Sequence, residues 1–449
     1  MELNLIIMKK LFLLALVFST SIVFGQKIIH KEINSIELGE TRHIKIYIPP
    51  SYKKGDTRLY PLTVLFDGDY LFDVYVGNAK LFAQRDKAPE QIIVGILQGD
   101  KRYKDCSYDK VNGLPTEDSN KFYRFVRGEL MDYLENNYPL SPFRTIVGNT
   151  LTANFSNFFA IEEIPAFDAF ININPKYSPD MPTFLQNKFS TLKEDRFYYY
   201  LNSGTYNKPE KHDAIVKVAN LLNNIGNPNL MIKFDNYKST KTASIGQAIP
   251  AALAHIFSIY SAISKEEFNK NIAHLSPPDA IAYLENKYVE IEYLFGTNMK
   301  IRERDIFAIE SIVLDKEDGL YLEDFGEMIN KLYPETPLSD YYIGMFYEKA
   351  RKYKQALKHY KNGYAKMDAD GEDAEAYYQN IERILAIQDS IVENEQQEKI
   401  IREEQKQAEK EQRELEKIRE QERKEAEKEE WKKKKERDKE MRKRYRSPN

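Results

Sequence analysis

Cysteine is nearly missing from this chain of 449 residues: Cys106 stands alone. That excludes an intrachain disulfide framework and any multi-cysteine metal site. Histidine is scarce as well, with six copies and none between His212 and His255. Glycine and proline number 19 each, too few for a collagen-like or low-complexity chain. No phosphate-cradling glycine loop and no zinc-ligand spacing occurs, so neither a cofactor nor a metal is expected. The formal net charge of −4 gives no global attraction to nucleic acid, and no nucleic-acid partner is expected.

Long hydrophobic runs are absent but for one, Leu11–Phe24. It is shorter than the roughly 20 residues that a membrane-spanning helix needs. Lys9 and Lys10 precede it, and Val23-Phe24-Gly25 closes it. This is the pattern of an export signal spanning residues 1–25, with cleavage before Gln26; an uncleaved N-terminal anchor is the alternative. Met8 begins a more typical signal than Met1 does. The chain that follows is expected in the periplasm or outside the cell.

What is present is an aromatic-rich globular sequence, with 31 Tyr and 24 Phe, followed by a very different tail. From Ile391 to Asn449 there are 20 Lys/Arg and 18 Asp/Glu. Residues 40–262 alternate short apolar, β-branched segments with helical patterns. Strands are expected at His43–Ile48, Leu62–Phe66, Ile92–Leu97, Thr145–Gly148, Ala169–Asn172, Tyr198–Leu201 and Met231–Phe234. Helices are expected at Asn120–Tyr138, Lys211–Ile225 and Ala248–Ile263. Regular alternation of the two implies a mainly parallel sheet covered on both faces, an α/β domain over residues 26–263.

Strand signals stop near Ser264, and residues 264–390 read as an all-α module of helical hairpins. Ile343-Gly344, Tyr347, Ala356, Tyr360 and Gly363 lie at the spacings of a tetratricopeptide-like hairpin, small residues where helices approach and tyrosines in the gaps. Such modules dock proteins, so a protein partner is expected here. Residues 391–449 then form a charged single helix or a coiled coil. Opposite charges four apart (Glu395/Lys399, Glu398/Arg402, Glu409/Arg413, Glu420/Lys424, Glu430/Lys434) favour a solvated helix. Ile401, Ala408 and Leu415 are seven apart, but Glu422 interrupts the series. Charge is segregated: residues 391–431 hold 15 acidic and 10 basic groups, and residues 432–449 hold 3 and 10. The basic end either contacts an anionic surface or simply solubilises the tail.

Several segments in order resemble the putative-esterase family of α/β-hydrolases, the branch with enterobactin-esterase-like members. They are Tyr47-Ile48-Pro49-Pro50-Ser51-Tyr52, Tyr60–Asp69, Ile92–Ile96 followed by Lys101–Asp105, the helix Phe122–Tyr138, and Arg144-Thr145-Ile146-Val147-Gly148. The resemblance covers residues 35–262 and implies a serine nucleophile in G-x-S-x-G, a strained strand-to-helix turn. Here the turn reads Gly148-Asn149-Thr150-Leu151-Thr152, and no G-x-S-x-G occurs elsewhere. Thr150 takes the serine slot. Asn207 lies closest to the acid slot, with Glu210 or Asp213 as substitutes, and Thr242 fills the histidine slot. By the same resemblance the oxyanion pocket would be formed by Leu151 and the Asp67-Gly68 loop.

An alcohol needs a base before it attacks, and threonine is not one. Loss of the triad base or nucleophile costs on the order of 10⁶ in rate. The expected function is therefore a pseudoenzyme that binds a small molecule or peptide in the degenerate cleft. Two alternatives stay open: an active carboxylic-ester hydrolase using Thr150 or an unrecognised base (Lys241 is the one rescue to suggest itself), and a purely structural envelope scaffold. Asp67-Gly68-Asp69 reads as a strand-end turn rather than a cation site.

Overall fold

The computed structural model describes residues 27–55, 57–193, 196–205, 209–314, 319–367 and 374–444. The expected export signal, residues 1–25, and Asn207 lie outside the described residues. The chain divides into two compact units, up to Ile312 and from Val313 onward.

The first unit is built on one eight-stranded sheet, ordered β1-β2-β4-β3-β5-β6-β7-β8. The strands are β1 (Lys27–Ser35), β2 (Glu40–Ile48), β3 (Tyr60–Leu65), β4 (Ile92–Leu97), β5 (Leu140–Asn149), β6 (Ala169–Ile173), β7 (Phe197–Thr205) and β8 (Leu230–Thr240). β1 and β4 both pair antiparallel with β2, and every other neighbour is parallel. Each of the seven expected strands falls on one of these. β1 was not expected: Lys27-Ile28-Ile29-His30-Lys31-Glu32-Ile33 is a charged edge strand, and edge strands carry weaker apolar patterns than buried ones.

The central strands read as continuous apolar runs because both faces are buried. Val64, Val94, Ile146, Phe170 and Tyr199 pack into one layer, and Leu65, Ile93, Val147, Ile171 and Tyr200 into the other. The helices that cover them are α1 (Gly68–Gln84), α2 (Arg102–Cys106), α3 (Glu117–Arg124), α4 (Met131–Asn137), α5 (Leu151–Ala160), α6 (Met181–Ser190), α7 (Pro209–Asn223) and α8 (Lys241–Ile256). A π-helical segment, Phe125–Leu130, joins α3 to α4 within the expected Asn120–Tyr138 helix. α8 begins earlier than its apolar pattern suggests, because the Thr240 hydroxyl accepts from the Ala243 N–H and caps it. Cys106 is a free, fully buried thiol, and burial pushes its pKa up, which makes it unreactive.

The boundary expected at 263/264 moves to Ile312. Helix α9 (Pro277–Phe295) carries Phe295 into the aromatic group of Phe143, Phe257 and Tyr260, at ring separations of 5.1, 5.4 and 6.0 Å. At the start of α10 (Glu303–Leu314), the buried Asp305 accepts from the Ile263 N–H at 2.7 Å and the Tyr288 hydroxyl at 2.6 Å. These helices lack strand character, so the composition change at Ser264 marks a change of secondary structure and not the end of the first core.

The second unit consists of α11 (Leu322–Leu332), α12 (Leu338–Lys349), α13 (Tyr353–Ala365) and α14 (Ala374–Arg444). α12 and α13 form the helical hairpin, with Gly344 against the buried Tyr360 ring and Gly363 against Tyr377. α14 has 71 residues, roughly 105 Å at 1.5 Å each. It starts before the charged tail: Tyr377, Ile381 and Ile384 are buried, and from Glu393 onward every described residue is exposed. Of the expected ion pairs, Glu398–Arg402 and Glu420–Lys424 close at 3.3 and 2.8 Å.

A Cβ at Gly344 would sit 2.7 Å from Tyr360 Cε1, inside normal contact distance. Replacing glycine in a helix interior gains about 1 kcal/mol, but forcing a buried ring aside costs about 1–3 kcal/mol. Gly344→Ala is therefore expected to lower the thermal midpoint of helix loss, followed by ellipticity at 222 nm; an unchanged or raised midpoint contradicts this packing.

Candidate functional site

The turn after β5 holds Thr150 at φ 60° and ψ −102°. A β-branched residue there is strained by about 1–3 kcal/mol. The neighbouring backbone imposes it. The Thr150 N–H donates to Ile173 O at 2.8 Å, and its carbonyl accepts from Lys176 N at 3.0 Å and Asn154 N at 3.2 Å. Gly148 is required one step earlier, since a Cβ there would lie 2.5 Å from the Thr152 carbonyl carbon. This is the strand–turn–helix corner that exposes a nucleophile in hydrolases, with α5 starting directly behind it. The departure at Thr152 is accommodated: its buried hydroxyl accepts from the Asn149 N–H at 2.7 Å and donates to Asp67 Oδ2 at 2.6 Å.

Asp67 follows β3 and caps α1 in the left-handed region, φ 56°, and is 1% exposed. Its carboxylate is held by Arg102, whose Nε donates to Oδ1 and whose Nη2 donates to Oδ2 at 3.1 Å. The same Nη2 donates to Asn149 O at 2.7 Å and to Thr150 Oγ1 at 3.1 Å. Burial alone would make the guanidinium easier to deprotonate, but Asp67 outweighs it and the pKa is raised. Thr150 is thus met by a fixed cation. Among the described residues no carboxylate or imidazole bonds its hydroxyl. His212 Nδ1 instead pairs with Ser203 Oγ at 2.9 Å, and His255 Nε2 donates to Met231 O at 2.9 Å.

A cleft of about 410 Å³ opens beside Thr150. Arg102, Thr150, Leu151, Lys176, Glu210, Lys211 and Lys241 line it, with Tyr103, Tyr177 and Ile215 as its less polar wall. Lys241 has its pKa lowered, first by burial and then by Arg102 and Lys211.

The sequence-predicted positions separate. Thr150 and Leu151 reach the cleft. Thr242 is exposed in the first turn of α8 and does not line it. Asn207 lies outside the described residues. Glu210 lines the cleft, whereas Asp213 does not. Asp67 and Gly68 are not cleft walls, which corrects the expected oxyanion pocket. The Asp67 N–H is committed to Gln98 Oε1 at 3.0 Å, and Gly68 is pressed against the backbone of Gly95 and Ile96. Asp67 acts on the cleft through Arg102. Asp69 Oδ2 accepts from the N–H groups of Gln98 and Gly99, both at 3.0 Å, which makes Asp67-Gly68-Asp69 a strand-end turn. Three cations, Arg102, Lys176 and Lys211, went unassigned. The available signal was position: each follows the C-terminal end of a parallel strand, where clefts in such sheets form.

Removing Arg102 would leave the Asp67 carboxylate buried without its cation. Arg102→Gln is expected to lower stability by about 2–4 kcal/mol, short of the full penalty because part of the guanidinium meets water. In a double-mutant cycle by urea unfolding, Asp67→Asn should lose much of its own cost once Arg102→Gln is present; strictly additive costs would contradict the pairing.

Residues 35–194 match the family model described as "Putative esterase". An uncharacterised protein from Capnocytophaga ochracea DSM 7271 superposes with a TM-score of 0.68 at 22% identity, over 80% of this chain and 100% of that one. An IroE-like serine hydrolase from Shewanella oneidensis superposes with a TM-score of 0.52 at 18% identity, over 68% of this chain and 98% of that one. At these identities the likeness is one of fold. No curated protein gives a significant match. The sheet order fits an α/β-hydrolase fold followed by a helical module, and residues 35–194 of the first unit are similar to the putative-esterase family.

Proposed function

We propose that this chain is an exported pseudoenzyme, a protein that binds a ligand in a hydrolase-type cleft without turning it over. The observation that carries the reading is the contact at Thr150 Oγ1: an arginine donor where nucleophilic attack needs a proton acceptor. A guanidinium stabilises developing negative charge but takes no proton. The two imidazoles nearest in sequence to the missing base are engaged elsewhere. Lys241 has a lowered pKa, yet Thr150 Oγ1 has Arg102 as its bonded partner among the described residues.

The remaining parts of the proposal rest on sequence. The charged, apolar and small-residue order of Lys9–Gly25 supports export. The tetratricopeptide-like spacing of Gly344, Ala356, Tyr360 and Gly363 supports a protein-docking role for the helical module. The charged helix then serves as a spacer, with Lys432–Lys435 and Arg442–Arg446 suited to an anionic surface.

The purified chain is expected to release no p-nitrophenol from p-nitrophenyl acetate or butyrate above the buffer rate, and to take no fluorophosphonate label. Thr150→Ser is expected to remain silent in both assays, because it supplies a better-shaped nucleophile but no base. Turnover or labelling that disappears in Thr150→Ala would establish the hydrolase reading instead.

A further inference from the structure

We infer that the cleft beside Thr150 takes a small ligand with an oxyanion head, a carboxylate or phosphate group, carried on an apolar body. The inference rests on the binding reading above and adds the chemical class of the ligand.

Four cationic side chains, Arg102, Lys176, Lys211 and Lys241, line one cleft of about 410 Å³. Of the acids at the site, Asp67 is buried behind Arg102, and Glu210 is exposed on the wall as Lys176, Lys211 and Lys241 are, so the cations outnumber it there. Like charges gathered in a partly desolvated space repel, and they raise the local concentration of an anion that relieves them. At Lys241 the ammonium is disfavoured first by burial and then by Arg102 and Lys211, against a smaller opposing pull from Asp67.

Arg102 is also oriented for the task. Its Nε and Nη2 are fixed by Asp67, Asn149 O and Thr150, while Nη1 has no acceptor among the described residues. A guanidinium held from behind loses little entropy when it binds an oxyanion in front. Leu151, the first residue of the ten-residue helix α5, lines the same space, which brings the positive end of the helix dipole beside it.

The cleft is larger than a bare ion needs and within the range of about 300–1,000 Å³ typical of small-molecule sites. Tyr103, Tyr177 and Ile215 offer the organic portion of such a ligand a less polar surface.

Isothermal titration of the full chain with phenyl phosphate, benzoate, inorganic phosphate and the neutral benzyl alcohol tests this. Phenyl phosphate and benzoate are expected to bind, inorganic phosphate more weakly, and benzyl alcohol not at all. Lys211→Gln and Lys241→Gln are each expected to weaken phenyl phosphate about tenfold, the scale of one charge-assisted hydrogen bond, while leaving the melting temperature near that of the parent. Raising salt should weaken binding further. Binding of benzyl alcohol equal to that of phenyl phosphate, or unchanged affinity in both lysine variants, overturns the inference while sparing the binding reading. Release of phenol from phenyl phosphate, lost in Thr150→Ala, overturns the binding reading itself.

Discussion

The site is organised by one ion pair, Asp67 with Arg102. Asp67 sits at the end of β3, Arg102 begins the short helix after β4, and the guanidinium reaches the carbonyl and hydroxyl at the end of β5. Three neighbouring strand ends are thereby fastened together at the carboxyl edge of the sheet. The fastening continues inward. Gln98 accepts from the Asp67 N–H and donates to Asp105 Oδ2 at 3.1 Å, and Asp105 pairs with the buried Arg42, 2.6 Å from Nη1. A buried carboxylate with partners on every side is stable only while all of them stay, so the network fixes one arrangement of these loops.

That network also fixes what the hydroxyl of Thr150 meets. In a triad, the groups around the nucleophile draw a proton away from it. Here the group at Thr150 Oγ1 is a permanently charged donor, committed to that role by Asp67. The second unusual residue in the turn, Thr152, reinforces it by donating to the same carboxylate. Two substitutions that look like independent losses in the sequence are parts of one hydrogen-bonded unit in the structure.

The sheet was legible because its strands are buried on both faces and so read as unbroken apolar segments: Ile92–Ile96 and Ala169–Asn172 could hardly be anything else. The corner was legible because Gly148 and the helix behind it leave few alternatives. Arg102 was harder to see. It appeared only as one letter of the Lys101–Asp105 segment, and its partner Asp67 lies 35 positions earlier; no local pattern announces a pair that only topology brings together. The same applies to Lys176 and Lys211, which stand on different connections and share a wall only after folding. The later domain limit was hidden for a related reason. Phe295 belongs to the first core partly through the ring of Phe143, over a hundred residues earlier, and helical periodicity does not say which core a helix covers.

The strain at Thr150 bears on what maintains such a turn. A positive φ at a β-branched residue would be relieved by glycine. The conformation persists because α5 crosses β5 so closely that Gly148 has no room for a side chain, and because Ile173 O and Lys176 N hold the peptide from both sides. The sharp corner is therefore a requirement of packing a helix directly behind a central strand. The geometry, together with the helix terminus and the cleft that it creates, is one that the sheet must make whether or not the corner carries chemistry.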